Sequence, residues 1–460
     1  MEPVILVDFG STYTKTCVFD MEEKDLVMST RTPSTVGTDA SVGFLINREA
    51  VKQQIGKSNL EKARTVASSS AAGGLRMVVV GLTPKYSLRA GIHAALGAGA
   101  RVVQTYSNRL SAEDMAEIIA IHPEILLLCG GIEHGNPQRI CANAAMLAET
   151  PCFTSPVVYA GNKSVAMQIR GMLLAHGKEC YLSENLFPTL KELNSLPVNR
   201  VLRDIFMKRI AGMKGIAQVQ DYIQGDVMPT PAAVFEAGAL LSKEPVEAGG
   251  FGRLMLLDVG GATTDVYSYI ENEVDSVKYA GAPEPEHKRT VEGDLGVRSS
   301  AVSLLAAEDV TRIAEHTGLT TEEIHTGCQY RASHAAFLPK EPKDKILDYE
   351  LTCTAVYKSA RRHGGQILNA YARGQNSVQE GKNLSRIQTV IGTGGAIIDS
   401  LHPRAILEKV LKTDAEKQRL LPEQSKMYLD TQYLLYAIGL AASIDADTAR
   451  IIAKKNLRSI

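Results

Sequence analysis

Paired cysteines and an excess of one charge are both missing from this 460-residue chain. Its 50 Lys and Arg residues balance 51 Asp and Glu residues, which gives a formal net charge of −1. A general nucleic-acid-binding protein would carry a basic excess or stripe, so the balance argues against that class. The seven cysteines are scattered singly, without a Cys-x-x-Cys pair. This pattern argues against zinc-knuckle and redox motifs and is typical of reduced thiols in a cytoplasm.

Long apolar segments are also missing, since none approaches the roughly 20 residues that span a bilayer. The first three residues, Met-Glu-Pro, lead directly into a predicted strand, and no secretory signal peptide is expected. Two common nucleotide-binding patterns do not occur, the Gly-x-x-x-x-Gly-Lys-Ser/Thr loop and the Gly-x-Gly-x-x-Gly turn. The sequence therefore predicts a cytoplasmic protein without a membrane or nucleic-acid partner.

One short pattern is present twice, about half the chain apart. Residues 8–15 read Asp-Phe-Gly-Ser-Thr-Tyr-Thr-Lys, and residues 258–265 read Asp-Val-Gly-Gly-Ala-Thr-Thr-Asp. Each comes after an apolar run and precedes a β-rich run, so each predicts a β-hairpin with a tight turn. A single copy would indicate only a structural turn, because Gly and Asp are common there. Two copies predict nucleotide binding, because Gly turns bring backbone amides close to phosphate groups and hydroxyls add donors.

The two turns supply the candidate site residues. The phosphate-binding candidates are Gly10, Ser11, Thr12, Thr14, Lys15, Gly260, Gly261, Thr263 and Thr264. Asp8 and Asp258 end their strands, where a carboxylate can hold Mg²⁺ through water. The expected chemistry is transfer of a phosphoryl group from ATP to water, with Asp258 or Asp265 orienting that water. Asp8, Asp258 and Asp265 are therefore the catalytic candidates, and the two turns are expected to clamp one nucleotide.

Two further groups of residues have alternative interpretations. Glu292 and Asp294 would either support the Mg²⁺ from behind its direct ligands or cap a helix. The glycine-rich loop at residues 130–136 is either a plain connection or a loop that binds a small ligand or a partner. Residues 57–70 are predicted to form a helix, and residues 361–363 are predicted to lie on a solvated helix face.

Strands and helices alternate between residue 75 and about residue 182. The predicted strands are 75–81, 101–105, 125–129, 157–159 and 179–182. The predicted helices are 88–96, 112–121, 140–148 and 164–175. Alternation with this period is typical of a parallel, doubly wound α/β sheet.

The order of the motifs resembles the superfamily of ATPases that contains actin, heat-shock chaperones and sugar kinases. Residues 8–14 and 258–265 look like its two phosphate loops, and residues 228–240 and 436–442 look like its connecting helices. The adenosine loop would comprise Gly392, Thr393, Gly394 and Gly395. The resemblance implies an α/β fold with two ribonuclease H-like lobes and an inserted α/β domain. The implied segments are 1–74 (first lobe, phosphate-1 hairpin), 75–187 (insertion), 188–250 (return to the first lobe and connecting helix) and 251–460 (second lobe).

Within that superfamily, the sequence is similar to the glutamate mutase L family. The similar segments are residues 7–15, 69–75, 229–233, 258–265 and 291–296. These accessory proteins are encoded with adenosylcobalamin-dependent mutases and aminomutases. The resemblance implies a reactivating chaperone, a slow ATPase that uses ATP and Mg²⁺ to release damaged cobalamin from a mutase such as glutamate mutase or an aminomutase. One departure is Met228 or Pro229, where the chaperones carry a Glu that positions the attacking water.

Three other functions are compatible with the resemblance to this superfamily. A small-molecule kinase would need a substrate base in the cleft. An activator of 2-hydroxyacyl-CoA dehydratases opens with a similar turn, but it needs cysteines for a bridging iron–sulfur cluster, and the single cysteines here do not indicate them. A nucleotide-gated scaffold would bind ATP without significant turnover, and an ATPase assay with and without a mutase separates it from the chaperone.

Overall fold

The computed structural model describes residues 1–10, 12–36, 38–70, 75–190, 192–211, 215–272, 278–368 and 378–460. The chain divides into two compact units. Unit 1 comprises Met1–Glu236, Ala280–Pro285 and Tyr436–Ala449. Unit 2 comprises Ala237–Tyr279, Glu286–Leu435 and Arg450–Ile460.

Unit 1 begins with an apolar hairpin and a third strand. Its first elements are β1 (Pro3–Phe9), β2 (Tyr13–Asp20), β3 (Asp25–Pro33), α1 (Ala40–Ile55), α2 (Lys57–Lys62) and β4 (Arg64–Ser69). Strands β1, β2 and β3 are antiparallel neighbours, and β4 joins β1 in parallel. The helix predicted over residues 57–70 is therefore wrong beyond Lys62. The β-branched Thr65 and Val66 are buried in a strand paired with β1, and this pairing overrides the local helix propensity.

A second, all-parallel sheet follows in unit 1. Its elements are β5 (Arg76–Gly81), α3 (Arg89–Gly97), β6 (Arg101–Ser107), α4 (Ala112–Ile121), β7 (Ile125–Gly130), α5 (Gln138–Glu149), β8 (Val157–Gly161), α6 (Ala166–Ala175) and β9 (Cys180–Leu182). The strand order is β6-β5-β7-β8-β9, with every neighbouring pair parallel. The predicted alternation of strands and helices is confirmed in this region.

The parallel sheet is covered by helices on both faces. Val79 and Leu127 pack in one cluster with Ala90 and Ala94 of α3. The alternate residues of the same strands, including Val80 and Leu128, pack in another cluster with side chains of α4, α5 and α6. Side chains alternate across a strand, so both faces of the buried strands are apolar. The inserted segment is thus a doubly wound α/β structure.

After the insertion the chain returns to the first sheet. It forms α7 (Leu196–Ala211), α8 (Ile216–Val219), β10 (Met228–Pro229) and α9 (Thr230–Leu241). Strand β10 joins β4 in parallel, which gives the strand order β10-β4-β1-β2-β3. The division between the units falls inside α9, after Glu236.

Unit 2 contains most of the remaining elements. They are β11 (Leu254–Val259), β12 (Thr264–Tyr269), β13 (Lys278–Tyr279), β14 (His287–Glu292), α10 (Ala301–Ala306), α11 (Val310–Thr317), α12 (Thr321–Ser333), α13 (Pro342–His363), β15 (Gly365–Leu368), β16 (Val378–Glu380), β17 (Thr389–Thr393), α14 (Gly395–Ile398), α15 (Pro403–Leu407), β18 (Arg419–Leu420), β19 (Lys426–Leu429), α16 (Leu435–Ala442), α17 (Ala446–Asn456) and β20 (Arg458–Ser459). The main sheet has the order β14-β12-β11-β17-β19-β20, and β13, β16, β15 and β18 form a smaller sheet. Helix α16 lies in unit 2 only at Leu435 and in unit 1 from Tyr436, and α17 begins in unit 1 and continues in unit 2 from Arg450.

The two main sheets repeat one topology. In each, an antiparallel three-stranded meander is extended by two parallel strands: β3-β2-β1-β4-β10 in unit 1 and β14-β12-β11-β17-β19 in unit 2. In each, the fifth strand leads toward a helix, α9 or α16, in which the division between the units falls. The chain therefore has a two-lobed actin-like ATPase fold with ribonuclease H-like lobes and an inserted α/β domain. The boundaries of the four segments stay a prediction.

Candidate functional site

The first glycine turn connects β1 to β2 in unit 1. The Gly10 amide donates to the Tyr13 carbonyl at 3.1 Å. A Cβ on Gly10 would lie 2.5 Å from that carbonyl oxygen, so only glycine fits this approach. The turn is held from the end of β3, because the Ser34 hydroxyl donates to the Gly10 carbonyl at 2.6 Å and the Ser34 amide donates to the Thr12 carbonyl at 2.9 Å.

Asp8 lies at the base of this turn and is 1 % exposed. Its carboxylate accepts hydrogen bonds from the hydroxyls of Thr230 at 2.5 Å and Ser68 at 3.3 Å. Lys15, its cross-strand neighbour, places Nζ 3.7 Å from Oδ2. Burial raises the pKa of Asp8, and the ammonium of Lys15 opposes that shift only in part. The structure therefore brings Lys15 to the predicted catalytic carboxylate.

The second turn, in unit 2, closes in the same way. The Gly260 amide donates to the Thr263 carbonyl at 2.9 Å. The segment after β14 holds the turn, as β3 does in the first copy: the amides of Val297 and Arg298 donate to the carbonyls of Gly260 and Gly261 at 3.1 and 2.8 Å. The predicted duplication thus extends to the backbone hydrogen bonds.

The second turn also has a strand-end Asp, but a different partner faces it. Asp258 is the cross-strand neighbour of Asp265. Asp265 accepts from Arg289 at 2.6 and 3.0 Å and from the Thr263 hydroxyl at 3.1 Å. Arg289 is only 5 % exposed, so this charged pair has little solvent around the cation. The ion pair fixes the orientation of Asp265 beside the predicted phosphate turn.

A third glycine turn, residues 392–395 of the predicted adenosine loop, lies against the second one. Thr393 is paired with Asp258 across the parallel strands. Gly394 has φ +91°, and a Cβ there would lie 2.9 Å from Asp258 Oδ1 and collide with the Val259 carbonyl. Unit 2 therefore brings the predicted adenosine loop into contact with the predicted second phosphate loop, and a glycine is required at the contact.

Asp430 connects this loop to the start of α16. It is 1 % exposed and accepts from the Leu434 and Leu435 amides at 2.7 and 3.0 Å. The Thr393 hydroxyl donates to the same carboxylate at 3.4 Å, and the Asp430 amide donates to the Gly392 carbonyl at 2.9 Å. Gly392 and Thr393 are thereby tied to the N-terminus of a predicted connecting helix.

Comparison with known proteins supplies the family. The chain matches the MutL protein family over residues 4–457. It is 37% identical over 460 residues to Protein MutL of Clostridium tetanomorphum, a match that covers 99% of both chains. The chain belongs to the MutL protein family. This finding confirms the resemblance to the glutamate mutase L proteins.

Solved structures show only remote similarity to this MutL-family chain. Nucleotide-free acetone carboxylase has a TM-score of 0.43 at 12% identity, over 95% of this chain and 70% of that one. The activator of 2-hydroxyisocaproyl-CoA dehydratase from Clostridium difficile, with bound ADPNP, has a TM-score of 0.32 at 10% identity, over 98% and 97% of the two chains. Glycerol kinase of Plasmodium falciparum with ADP has a TM-score of 0.35 at 9% identity, over 100% and 93%. The family assignment therefore rests on the sequence matches.

The remaining predicted phosphate ligands of the MutL-family chain have different surroundings. Thr12 is exposed, whereas Thr14 is buried with its hydroxyl beside Gly43 of α1. The Thr264 hydroxyl is also buried and donates to the Leu295 carbonyl at 2.8 Å. The structure thus gives Thr14 and Thr264 packing roles, and phosphate binding by either stays a prediction. Ser11 lies outside the described residues.

Glu292 and Asp294 both bind Arg362 of α13. Arg362 Nη1 lies 2.8 Å from Glu292 Oε2 and 2.7 Å from Asp294 Oδ1. The hydrogen bonds from Arg362 lower the pKa of Asp294, while burial raises the pKa of Glu292. The solvated helix face predicted for residues 361–363 is wrong for Arg361 and His363, which are 7 % and 0 % exposed, whereas Arg362 is exposed as predicted. This helix end packs against the lobe, and a supporting role of the two acids around Mg²⁺ stays a prediction.

The loop after β7 is fixed by two asparagines. Asn162 donates to the Ile132 and Gly135 carbonyls at 3.0 and 3.2 Å, and Asn185 donates to the Gly131 carbonyl at 2.9 Å. These contacts account for the loop as a well-supported connection. Ligand or partner binding by this loop stays open as a second interpretation.

Sequence reasoning missed Ser68 and Thr230 as partners of Asp8. Thr230 belongs to segment 229–233, and Ser68 immediately precedes segment 69–75, both of which carry the family resemblance. Residues 71–74 of the second segment lie outside the described residues. That resemblance is the available signal, since nothing local to Asp8 points to either hydroxyl.

Metal clusters and membrane spans are both missing from the part of the chain that the structure describes. Within those ranges, no group of three or more His, Cys, Asp and Glu side chains is arranged to hold a metal ion. In the same ranges, each helix is too short or too polar to cross a bilayer.

Proposed function

We propose that this protein binds ATP with Mg²⁺, hydrolyses it slowly, and uses that cycle to reactivate an adenosylcobalamin-dependent mutase such as glutamate mutase or an aminomutase. The observation that carries the nucleotide part is the duplicated turn. Two sheets of the same strand order each have a glycine turn closed by the same amide–carbonyl bond and preceded by an Asp. Membership of the MutL family supports the client part.

The two turns have complementary roles in this proposal. Backbone amides near Gly10 and Gly260, the hydroxyls of Ser11 and Thr12, and the Lys15 ammonium would hold the phosphate oxygens. Residues 392–395 would contact the adenosine. Catalysis of phosphoryl transfer to water depends mainly on positioning the reactants and on neutralising charge on the phosphate oxygens.

The carboxylates fit a Mg²⁺ ion bound through water. Mg²⁺ takes oxygen ligands and keeps several waters. The oxygens of Asp8 already accept two hydroxyl hydrogen bonds and face Lys15, so an outer contact suits Asp8 better than direct ligation. Asp258 would be the second such contact. When bound, the ion would neutralise charge on the phosphate oxygens.

Orientation of the attacking water is best assigned to Asp258. One carboxylate oxygen of Asp265 is taken by Arg289 and the other accepts from Thr263. Asp265 would then act as a positioning residue that holds Thr263 in the turn. The absence of the Glu that chaperones carry before their connecting helix supports slow turnover, because Met228 or Pro229 stands there.

Release of damaged cobalamin is the proposed use of this cycle. Loss of the γ-phosphate would change the conformation that nucleotide favours, as in other phosphate-controlled switches. The inserted α/β domain at residues 75–187 would carry the change to mutase subunits. A differential affinity of about 3 kcal/mol shifts a two-state equilibrium by roughly 150-fold, which is sufficient for such a switch.

Reactivation of an inactivated mutase tests the proposal. Glutamate mutase inactivated by turnover is incubated with the purified protein, Mg-ATP and fresh adenosylcobalamin, and mutase activity and phosphate release are followed. We expect activity to return with ATP and to stay low with a non-hydrolysable analogue. Equal recovery without nucleotide contradicts the ATP-driven mechanism. Phosphorylation of a sugar or small acid would replace it with the kinase alternative, and ATP binding without phosphate release would replace it with the scaffold.

A further inference from the structure

A pocket of about 350 Å³ lies in unit 2, outside the three glycine turns. It is lined by Ser385, Lys412, Lys417, Arg419, Leu420, Leu421, Glu423 and Gln424. The size is within the range of small-molecule sites. None of its lining residues belongs to the duplicated turns, so the nucleotide proposal does not account for it.

Positive charge dominates the lining. Three cationic side chains, Lys412, Lys417 and Arg419, face one carboxylate, Glu423. The Lys412–Glu423 distance is 3.9 Å, and the Glu423 side chain is 82% exposed, so solvent weakens this pair. Within the described ranges, no carboxylate lies within 4.0 Å of the side-chain nitrogens of Lys417 or Arg419. The pocket therefore keeps an excess of cationic donors.

A neighbouring acid that could have neutralised these donors is engaged elsewhere. Glu416 accepts from Arg361 Nε at 2.9 Å and from Nη2 at 2.7 Å. The Arg361 hydrogen bond is the main reason why the pKa of Glu416 falls to about 2. Asp414, the other acid between residues 412 and 419, is exposed and does not line the pocket. The two acids of residues 412–419 therefore leave the positive charge of the pocket lining in place.

Strand pairing and hydrogen bonds hold the walls of the pocket. Strand β18 pairs with β15 through Leu420 opposite Gly365 and Arg419 opposite Gln366. The Lys412 amide donates to the Pro422 carbonyl at 2.8 Å, and Arg361 Nη2 donates to the Leu411 carbonyl at 2.7 Å. A preformed site binds with a smaller loss of conformational freedom than a loop that must order.

We propose that this pocket binds a small polyanion carrying phosphate or carboxylate groups. Lysine and arginine donors bind these groups through charge-assisted hydrogen bonds, and Arg419 can also bind a planar carboxylate or a phosphate with two donors. The Gln424 side-chain amide adds an uncharged donor to the lining, whereas the Ser385 hydroxyl already donates to Asn383 Oδ1 at 2.7 Å. The inference is independent of the nucleotide proposal, because it uses different residues.

Pyrophosphate and citrate are the probes, titrated calorimetrically into the full-length protein at low and at moderate salt. Hydrogen exchange is followed in parallel at residues 411–424. We expect saturable binding of at least one anion, protection of that segment, and weaker binding at higher salt. Lys412→Ala/Lys417→Ala should weaken binding by about tenfold or more, since it removes two charged donors. Glu423→Gln should strengthen it about threefold by removing the competing carboxylate.

The control is Lys57→Ala, which removes an exposed lysine of unit 1 that pairs with Glu61. It should leave anion binding unchanged. Equal binding by the wild type and the Lys412→Ala/Lys417→Ala variant, or protection only outside residues 411–424, would overturn the proposal. Absence of saturable binding for both probes would overturn it as well. Phosphate release from ATP is measured on the same samples, so a failed anion site is distinguished from a failed nucleotide site.

Discussion

The two glycine turns share one backbone and differ in charge. Both are closed by an amide–carbonyl bond across the turn, at 3.1 Å in unit 1 and 2.9 Å in unit 2. Each turn comes after an Asp near the end of a strand. The cross-strand neighbour of Asp8 is Lys15, whereas that of Asp258 is Asp265. The duplication has thus kept the geometry of the turn and changed the electrostatics beside it.

This difference suggests a division of labour. In unit 1 the cation of Lys15 stands beside a buried carboxylate, an arrangement that suits anionic phosphate oxygens. In unit 2 two carboxylates, Asp258 and Asp265, are cross-strand neighbours, and Arg289 pairs with Asp265. The second turn is therefore the more negative one, which favours hydrated Mg²⁺ and a polarised water. Under the proposed function, the first turn would neutralise the phosphate and the second would activate the attacking water.

The parallel strands beside the two turns lead into different structures. In unit 1 the next strand after β4 is β5 of the parallel sheet, whereas in unit 2 the element after β17 is the short helix α14, followed by α15. Ser68 and Thr393 occupy equivalent register positions opposite Asp8 and Asp258. The predicted adenosine loop and the insertion thus follow equivalent strands of the repeated topology.

The largest expected effect comes from removal of either strand-end carboxylate. Asp8→Ala and Asp258→Ala should each lower Mg²⁺-dependent phosphate release by about 100-fold or more, because each removes charge placed at the reaction. Circular dichroism should show an intact fold. Wild-type turnover in either variant would show that the turn next to the substituted Asp takes no part in hydrolysis.

A glycine contact in unit 2 gives the next effect. Gly394→Ala should destabilise unit 2 by about 1–3 kcal/mol in urea unfolding, because a Cβ there is strained at φ +91° and meets the Val259 carbonyl. Nucleotide affinity should fall with it. The matched control is Gly293→Ala, where a Cβ would meet no atom within 4 Å. Equal stability of the two variants would contradict the tight packing of the third turn on the second.

Features of the fold and the site that arise from neighbouring residues could be predicted from the sequence, whereas those that depend on residues far apart in the chain could not. The turns and the alternating insertion are local patterns of glycine placement and periodicity, so the sequence alone indicates both. The hydroxyls that hold Asp8 come from positions 60 and 222 residues away, so no local pattern indicates them. The helix predicted across β4 is wrong because the strand character of this segment arises from pairing with β1. The burial of Arg361 and His363 likewise depends on packing and not on their polarity.

The charge difference between the turns can be tested by removing one charge from each turn. Lys15→Gln should weaken ATP binding by about tenfold, because it removes the cation assigned to phosphate. Asp265→Asn should lower the turnover rate with a smaller change in affinity, since it loosens Arg289 and Thr263 without touching phosphate. The measurement is nucleotide affinity by calorimetry beside turnover by phosphate release. If both variants changed nucleotide affinity and turnover rate in the same proportion, the proposed division of labour would be contradicted.

The smallest effect is the pH dependence of stability contributed by Asp8. Burial raises the pKa of this carboxyl in the folded protein above its unfolded value, so the folded state binds the proton more tightly than the unfolded chain. The ionised form therefore costs stability at neutral pH. That cost should disappear as the pH falls through the folded pKa toward the unfolded one. Relative to Asp8→Asn, the free energy of unfolding of the wild type should rise on acidification, and Lys15 should not reverse this sign.

The measurement is urea unfolding of the wild type and Asp8→Asn at a series of pH values, with the difference between the two taken at each pH. Taking the difference cancels the titration of all groups that the two proteins share. Ser34→Ala is a useful companion, because it removes a hydrogen bond that holds the Gly10 carbonyl and leaves Asp8 in place. Its stability should drop by about 1 kcal/mol without the pH dependence. A difference that instead falls on acidification would mean that the Lys15 ammonium outweighs burial, and the first turn would then hold its carboxylate as a stable ion pair.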